Sequence, residues 1–149
     1  MNTLTLNELI QKVRRYTRDT TGSLFTQEDI ADFCNEGIER MKQVVVVFKD
    51  VPLLKSNSDE VIIIPEHYQH LIAVYGASRC FSQDEQQYQS ATYMNEFESK
   101  LEELLQRVLS GEIVVKDVDG NAIDISDMAF DNVVNVYFTK NVGALKWLG

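Results

Sequence analysis

The feature that most constrains this chain is a change of hydrophobic period at Gly111. Upstream, apolar residues recur every three or four positions, the repeat of one face of an α-helix. Downstream they alternate with polar residues, the repeat of a strand. A chain with this break is neither a uniform helical rod nor a uniform sheet. The expected fold class is mainly α: a four-helix body with a long fourth helix over 1–110, then a C-terminal β-hairpin or extended arm over 111–149.

Local signals mark the helices. Thr5-Leu-Asn-Glu8 is a capping box, in which the two side chains satisfy each other's backbone donors. Leu6, Leu9, Ile10, Val13 and Tyr16 follow on one stripe, which predicts a helix over 6–18 ended by Asp19-Thr-Thr-Gly22-Ser. Thr26 suits an N-cap, with Glu28 and Asp29 in the first turn, and predicts a second helix over 27–47. Its end, 44–47, is β-branched and a poor last turn. Pro52 and a Ser-Asn-Ser-Asp cluster mark a loop over 49–60, and 61–64 reads as a short buried strand or extended piece.

Pro65 suits the start of a third helix, predicted over 66–81. Tyr68, Leu71, Ile72 and Tyr75 form one stripe of it, and the small residues Ala73, Gly76, Ala77 and Cys80 form another. Two stripes imply neighbours on two sides, with close backbone approach on the second. Ser82-Gln-Asp-Glu85 repeats the capping-box pattern and predicts the fourth helix over 83–109. Met94, Phe97, Leu101, Leu104, Leu105 and Val108 line its apolar face, and Gly111 suits the residue after its end. Beyond it, 113–118 and 122–125 flank Asp119-Gly-Asn121, a hairpin signal.

Charge narrows the function. Fourteen Lys and Arg stand against 23 Asp and Glu, a formal net charge of −9 over 149 residues. Gripping nucleic acid by phosphate neutralisation needs the opposite field. A negative wall still suits a passage through which nucleic acid slides. No apolar run approaches the ~18 residues of a membrane span, the longest being 44–48 and 61–64. The first 15 residues are polar where a signal peptide is apolar, so the chain is expected to be made in a cytosol, without a membrane. In that compartment Cys34 and Cys80 read as packing thiols rather than a disulfide.

The chain carries no Gly-x-Ser-x-Gly, P-loop, dinucleotide fingerprint, His-Glu-x-x-His or Cys-x-x-Cys, so neither catalysis nor a cofactor is expected. His67 and His70, at i and i+3, lack an evident third metal ligand. Asp117-Val-Asp119-Gly-Asn121 opens like a calcium loop, but positions six and twelve are Ala122 and Met128. It reads as a turn with solvated carboxylates. Glu96, Glu98, Glu102 and Glu103 read as the wet face of the fourth helix. Tyr75, Tyr88, Tyr93 and Phe97 read as core or interface, since no basic groove accompanies them as a stacking platform requires.

Three groups remain as interaction candidates. Arg14, Arg15 and Arg18 form a small basic cluster with two readings, contact with a phosphate or pairing with carboxylates of this chain or of a neighbouring copy, and the net charge of −9 favours the pairing. Ala73, Gly76 and Ala77 are candidates for packing between copies. The apolar arm offers Phe130, Val133, Val134, Val136, Tyr137, Phe138, Trp147 and Leu148. It either lies as a β-layer on the helices or is donated as a strand to a partner's sheet edge.

Four stretches together carry a family resemblance. They are Leu4-Thr-Leu-Asn-Glu-Leu-Ile-Gln-Lys-Val-Arg-Arg-Tyr16 with its Asp-Thr-Thr-Gly turn; Phe25-Thr-Gln-Glu-Asp-Ile-Ala-Asp-Phe-Cys-Asn-Glu-Gly-Ile38; Ile64-Pro-Glu-His-Tyr-Gln-His-Leu-Ile-Ala-Val-Tyr-Gly-Ala-Ser78; and the long helix from Asp84 to Leu109. On these, over 4–110, the chain resembles the head–tail adaptor (connector) proteins of long-tailed bacteriophages. After Gly111 it matches only in character. The resemblance implies a structural virion protein with no catalytic residues, assembled as a dodecameric ring in the neck. It implies the portal protein on one side and a stopper or tail-completion protein on the other. DNA would pass through the lumen without sequence-specific contact, and the subunit would be made in the host cytoplasm. Two rival readings stand beside it: an acidic, nucleic-acid-mimicking inhibitor of a DNA-binding enzyme, and a small enzyme with an unrecognised site.

Overall fold

The computed structural model describes residues 3–19, 22 and 24–123. Four helices form among them: α1 (Leu6–Thr17), α2 (Gln27–Val44), α3 (Leu71–Gln83) and α4 (Gln87–Leu109). The described part is mainly helical, and α3 is its axis, packed against α1, α2 and α4.

The capping box at α1 forms as its residues predict. The Thr5 hydroxyl accepts the Glu8 N–H at 3.2 Å, and the Glu8 carboxylate accepts the Thr5 N–H at 3.1 Å. Leu6, Leu9, Ile10 and Val13 turn one stripe into the core. The helix closes on Arg18, whose φ of 60° is left-handed, with the Asp19 N–H reaching back to the Arg14 carbonyl at 2.9 Å. Asp19 itself is only 2% exposed. Its carboxylate accepts the Leu24 and Phe25 N–H groups at 3.2 and 3.1 Å and an Arg14 N–H at 3.1 Å. A buried charge is tolerated only when paired and hydrogen-bonded, so this knot fixes how the chain enters α2.

Thr26 caps α2, its hydroxyl accepting the Asp29 N–H at 3.0 Å. The predicted end at residue 47 is too late: α2 stops at Val44, and Val46–Phe48 is a 3₁₀ turn. Four consecutive β-branched residues crowd a helical turn. The tighter turn buries Val45, Val47 and Phe48 together.

The following loop is stitched by polar side chains. Asn35 holds Leu54 through both its amide N–H and its amide oxygen, at 2.9 and 2.8 Å. The chain then returns beside the start of α1, with a single antiparallel bridge between Thr5 and Glu60. Residues 61–64 lie in no strand; Ile63 and Ile64 form a bend, and Ile63 adopts φ 79°. The buried Gln69 amide satisfies this segment. It accepts the Leu4 N–H at 2.9 Å and donates to the Val61 and Ile64 carbonyls at 3.0 and 2.9 Å.

Two helix starts differ from expectation. Residues 66–68 form a 3₁₀ turn after Pro65, and α3 begins only at Leu71. The turn buries Tyr68, whose hydroxyl donates to Glu103 at 2.8 Å and accepts from Arg107 at 2.5 Å. The Ser82–Glu85 capping box does not form, because Ser82 lies in the last turn of α3. Glu85 takes φ 59°, and the Gln86 N–H closes on the Phe81 carbonyl at 2.8 Å. That closure is a Schellman motif, so Ser82 ends one helix instead of starting the next. α4 therefore has 23 residues and a length of about 35 Å.

Gly111 adopts φ 83°, as expected of the residue that ends a helix. Of the predicted hairpin the described residues show a turn closed by one bridge, Lys116 to Ala122, with the Ile123 N–H on the Val115 carbonyl at 2.9 Å; residues 124 and 125 lie outside them. No strand forms among the described residues. Val115 joins the helical core, and Ile113 and Ile123 pack against it, so the first residues of the arm cover the body.

Candidate interaction site

The small stripe of α3 lies inside the subunit. Ala73, Gly76 and Ala77 are buried, so they are not a surface that a second copy can meet, which corrects their reading as packing residues between copies. A Cβ on Gly76 would stand 3.0 Å from Val13 and 3.4 Å from the Cys34 sulfur. The close approach is real, and it serves α1 and α2 of the same chain. Gly37 does the same for Tyr75, since a Cβ there would lie 3.0 Å from the Tyr75 Cβ.

The arginine cluster divides. Arg14 is held within the chain by Asp19 and by the Phe25 carbonyl at 3.1 Å. Arg15 and Arg18 are exposed. Cys34 and Cys80 are both buried as free thiols, and burial pushes each pKa up to about 12. They are protonated packing groups, not nucleophiles. Among the described residues no group of three or more His, Cys, Asp or Glu is placed to hold a metal ion. The Asp117 carboxylate accepts the Asp119 and Asn121 N–H groups at 2.9 and 3.0 Å, as a turn residue does.

The acidic face of α4 is only partly free. Glu98 accepts a forked pair of bonds from Arg40 of α2 at 3.0 and 3.2 Å. Glu103 accepts from Tyr68 and lies 3.8 Å from Lys100. Glu96 makes no ion pair among the described residues. It stands instead at the rim of a groove of about 400 Å³ between α1, α3 and α4. Tyr16, His70, Val74, Thr92 and Tyr93 complete that groove. The Tyr16 and Tyr93 rings are 5.7 Å apart, tilted 42°, and Phe81 backs Tyr93 at 5.4 Å. Burial, and then the charge of Glu96, raises the pKa of the Tyr16 hydroxyl. Burial lowers that of His70, against the opposing pull of Glu96.

Sequence periodicity did not point to this groove. Its residues come from α1, from α3 and the turn before it, and from α4, and the helical spacing within each set says nothing about the other two. Of the aromatic residues flagged in the sequence, Tyr75 packs edge-on to Phe97 at 5.1 Å inside the body. Tyr93 lines the groove, and Tyr88 is 82% exposed. The hairpin leaves Val114 and Val118 exposed, at 59% and 65%. The arm candidates Phe130, Val133, Val134, Val136, Tyr137, Phe138, Trp147 and Leu148 lie outside the described residues. No helix among the described residues is long and apolar enough to cross a membrane. Comparison with protein-family models, with curated proteins and with solved structures finds no match to this chain.

Proposed function

We propose that this chain is a structural assembly protein, a head–tail adaptor of the long-tailed-phage kind. Its copies close a ring beneath a portal, bind a stopper or tail-completion protein on the far side, and surround a DNA channel. The observation that carries the reading is the junction at Gly111. A helical body whose core closes within the chain hands over to a hairpin with exposed Val114 and Val118. An apolar sequence including Val133, Val134, Val136, Tyr137, Phe138 and Trp147 follows. Exposed apolar residues followed by a strand-like sequence are the raw material of β-strand addition to a partner. The net charge of −9 suits a channel wall that repels phosphates and lets DNA slide.

The inhibitor reading is weaker. A nucleic-acid mimic needs free carboxylates on one face. Here Asp19, Glu98 and Glu112 are paired with arginines, and Glu36 lies 3.7 Å from Arg79. Contacts between copies in a ring would use the exposed faces that carry Arg15, Arg18 and Tyr88.

Removing residues 127–149 tests the proposal. The shortened chain is expected to keep its helical circular dichroism per residue and to lose binding to portal-bearing capsids, imaged by electron microscopy. Unchanged docking would remove the arm as the anchor. Failure of the full chain to dock, together with competition against DNA for a nuclease, would replace the adaptor by the inhibitor.

A further inference from the structure

We propose that the groove between α1, α3 and α4 is a receptor for a guanidinium group, supplied by an arginine side chain of a partner protein. The inference does not rest on the adaptor reading, because the groove belongs to the single subunit.

The chemistry of the lining selects the ligand. Val74 contributes a buried apolar wall, and the Tyr16 and Tyr93 rings stand 5.7 Å apart beside it. The Phe81 ring packs against Tyr93 at 5.4 Å, tilted 32°. Aromatic faces attract cations, and a planar guanidinium also stacks on them. Glu96 supplies the one carboxylate of the lining. It makes no ion pair among the described residues, and a carboxylate takes the guanidinium fork through two parallel bonds. The remaining polar groups are neutral at pH 7. The raised pKa of Tyr16 keeps its hydroxyl protonated, and the lowered pKa of His70 keeps its imidazole uncharged.

The neighbouring cations do not fill the groove. Lys12 and Lys100 are close enough to act on His70, and Arg15 on Tyr16, yet none of the three lines the groove. Lys100 is turned to Glu103 at 3.8 Å. The Thr92 hydroxyl is occupied by the Tyr88 carbonyl at 3.0 Å. An anion would meet Glu96, and a purely apolar ligand would strip water from the same carboxylate without replacing its bonds. The volume of about 400 Å³ lies in the range of small-ligand pockets, ~300–1,000 Å³.

The test is a titration of the full-length protein with Nα-acetyl-arginine amide, followed by NMR of the tyrosine rings and the His70 imidazole. Saturable shifts of Tyr16, Tyr93 and His70 are expected at a dissociation constant of about a millimolar, the scale of one charged pair and one stacked face. The citrulline amide, equal in shape and uncharged, is expected to bind at least about tenfold more weakly. Glu96→Gln should bring a similar loss, and Tyr93→Phe should retain the binding that Tyr93→Leu removes. Equal binding of arginine and citrulline, or no shift of these rings through tens of millimolar, would overturn the proposal, and neither result depends on a variant folding. A Gly-Ser-Arg-Gly peptide is expected to bind more tightly than agmatine. The reverse order would assign the groove to a free small molecule and overturn the partner-protein source.

Discussion

Helices α3 and α4 teach different lessons in how side-chain size follows neighbourhood. α3 has three helical neighbours and buries eight of its 13 residues, so it uses Ala73, Gly76 and Ala77 where its neighbours come closest. α4 fully buries only five of 23, along the seam Phe97, Leu101, Leu104, Leu105 and Val108, with Tyr93, Met94 and Leu109 half-buried beside it. A helix gripped on several sides is limited by space, whereas a helix gripped on one side is limited by how much apolar volume it can bring. The first therefore fails when atoms are added, and the second when they are taken away.

Phe97→Ala should be the larger break. The ring is fully buried against Tyr75, and its loss is expected to cost about 3–5 kcal/mol by urea unfolding. Gly76→Leu tests the opposite limit in α3. With Val13 at 3.0 Å and Cys34 at 3.4 Å from a new Cβ, overpacking is expected to cost about 1–3 kcal/mol in calorimetry. An unchanged melting temperature would mean that the gap between α3 and α1 opens freely, and the contrast between the two helices would fail.

The joint between them is the next test. Glu85 holds a left-handed φ of 59° that glycine adopts without strain. Glu85→Gly is expected to stabilise the chain by about 0.5–1 kcal/mol, net of glycine's greater unfolded-state entropy. A loss of stability would show that the Glu85 side chain contributes something other than backbone strain.

The smallest effect concerns His70, which precedes α3 and faces α4 across the groove. Burial lowers its pKa below the ordinary 6.5, so the unfolded chain takes up the proton first on acidification. Its contribution to stability is complete above about pH 6.5 and declines as pH falls toward the folded value. His70→Gln should flatten that part of the curve, seen as a smaller fall in urea midpoint between about pH 7.5 and pH 5.5. An unaltered fall would place the acid sensitivity on other groups.

Signals confined to a few residues were readable in advance. Thr5 with Glu8, Thr26 and Gly111 each mark a helix end whose partner lies within a turn, and each acts as its residue type predicts. Ser82 with Glu85 carries the same pattern as Thr5 with Glu8 and does the opposite. The difference is that the chain after Phe81 folds back into a Schellman closure that lays α4 along α3. The long-range polar anchors were not visible either. Gln69 reaches Leu4 across 65 positions, and Asn35 reaches Leu54 across 19. Nothing in the local spacing of a Gln or an Asn announces such a partner.

The amino-acid order alone determined the four α-helices of the described residues, the apolar stripe of each, and the break of period at Gly111, because those depend on periodicity and on hydrogen bonds a turn away. Only the tertiary structure decided who meets whom. It turned the small stripe of α3 inward and tied Arg14 to a buried Asp19. It also brought Tyr16 of α1, His70 from the turn before α3, and Tyr93 and Glu96 of α4 to one groove. The reason is physical: a stripe states that a helix must be covered, but which surface covers it follows from the fit of all the others at once.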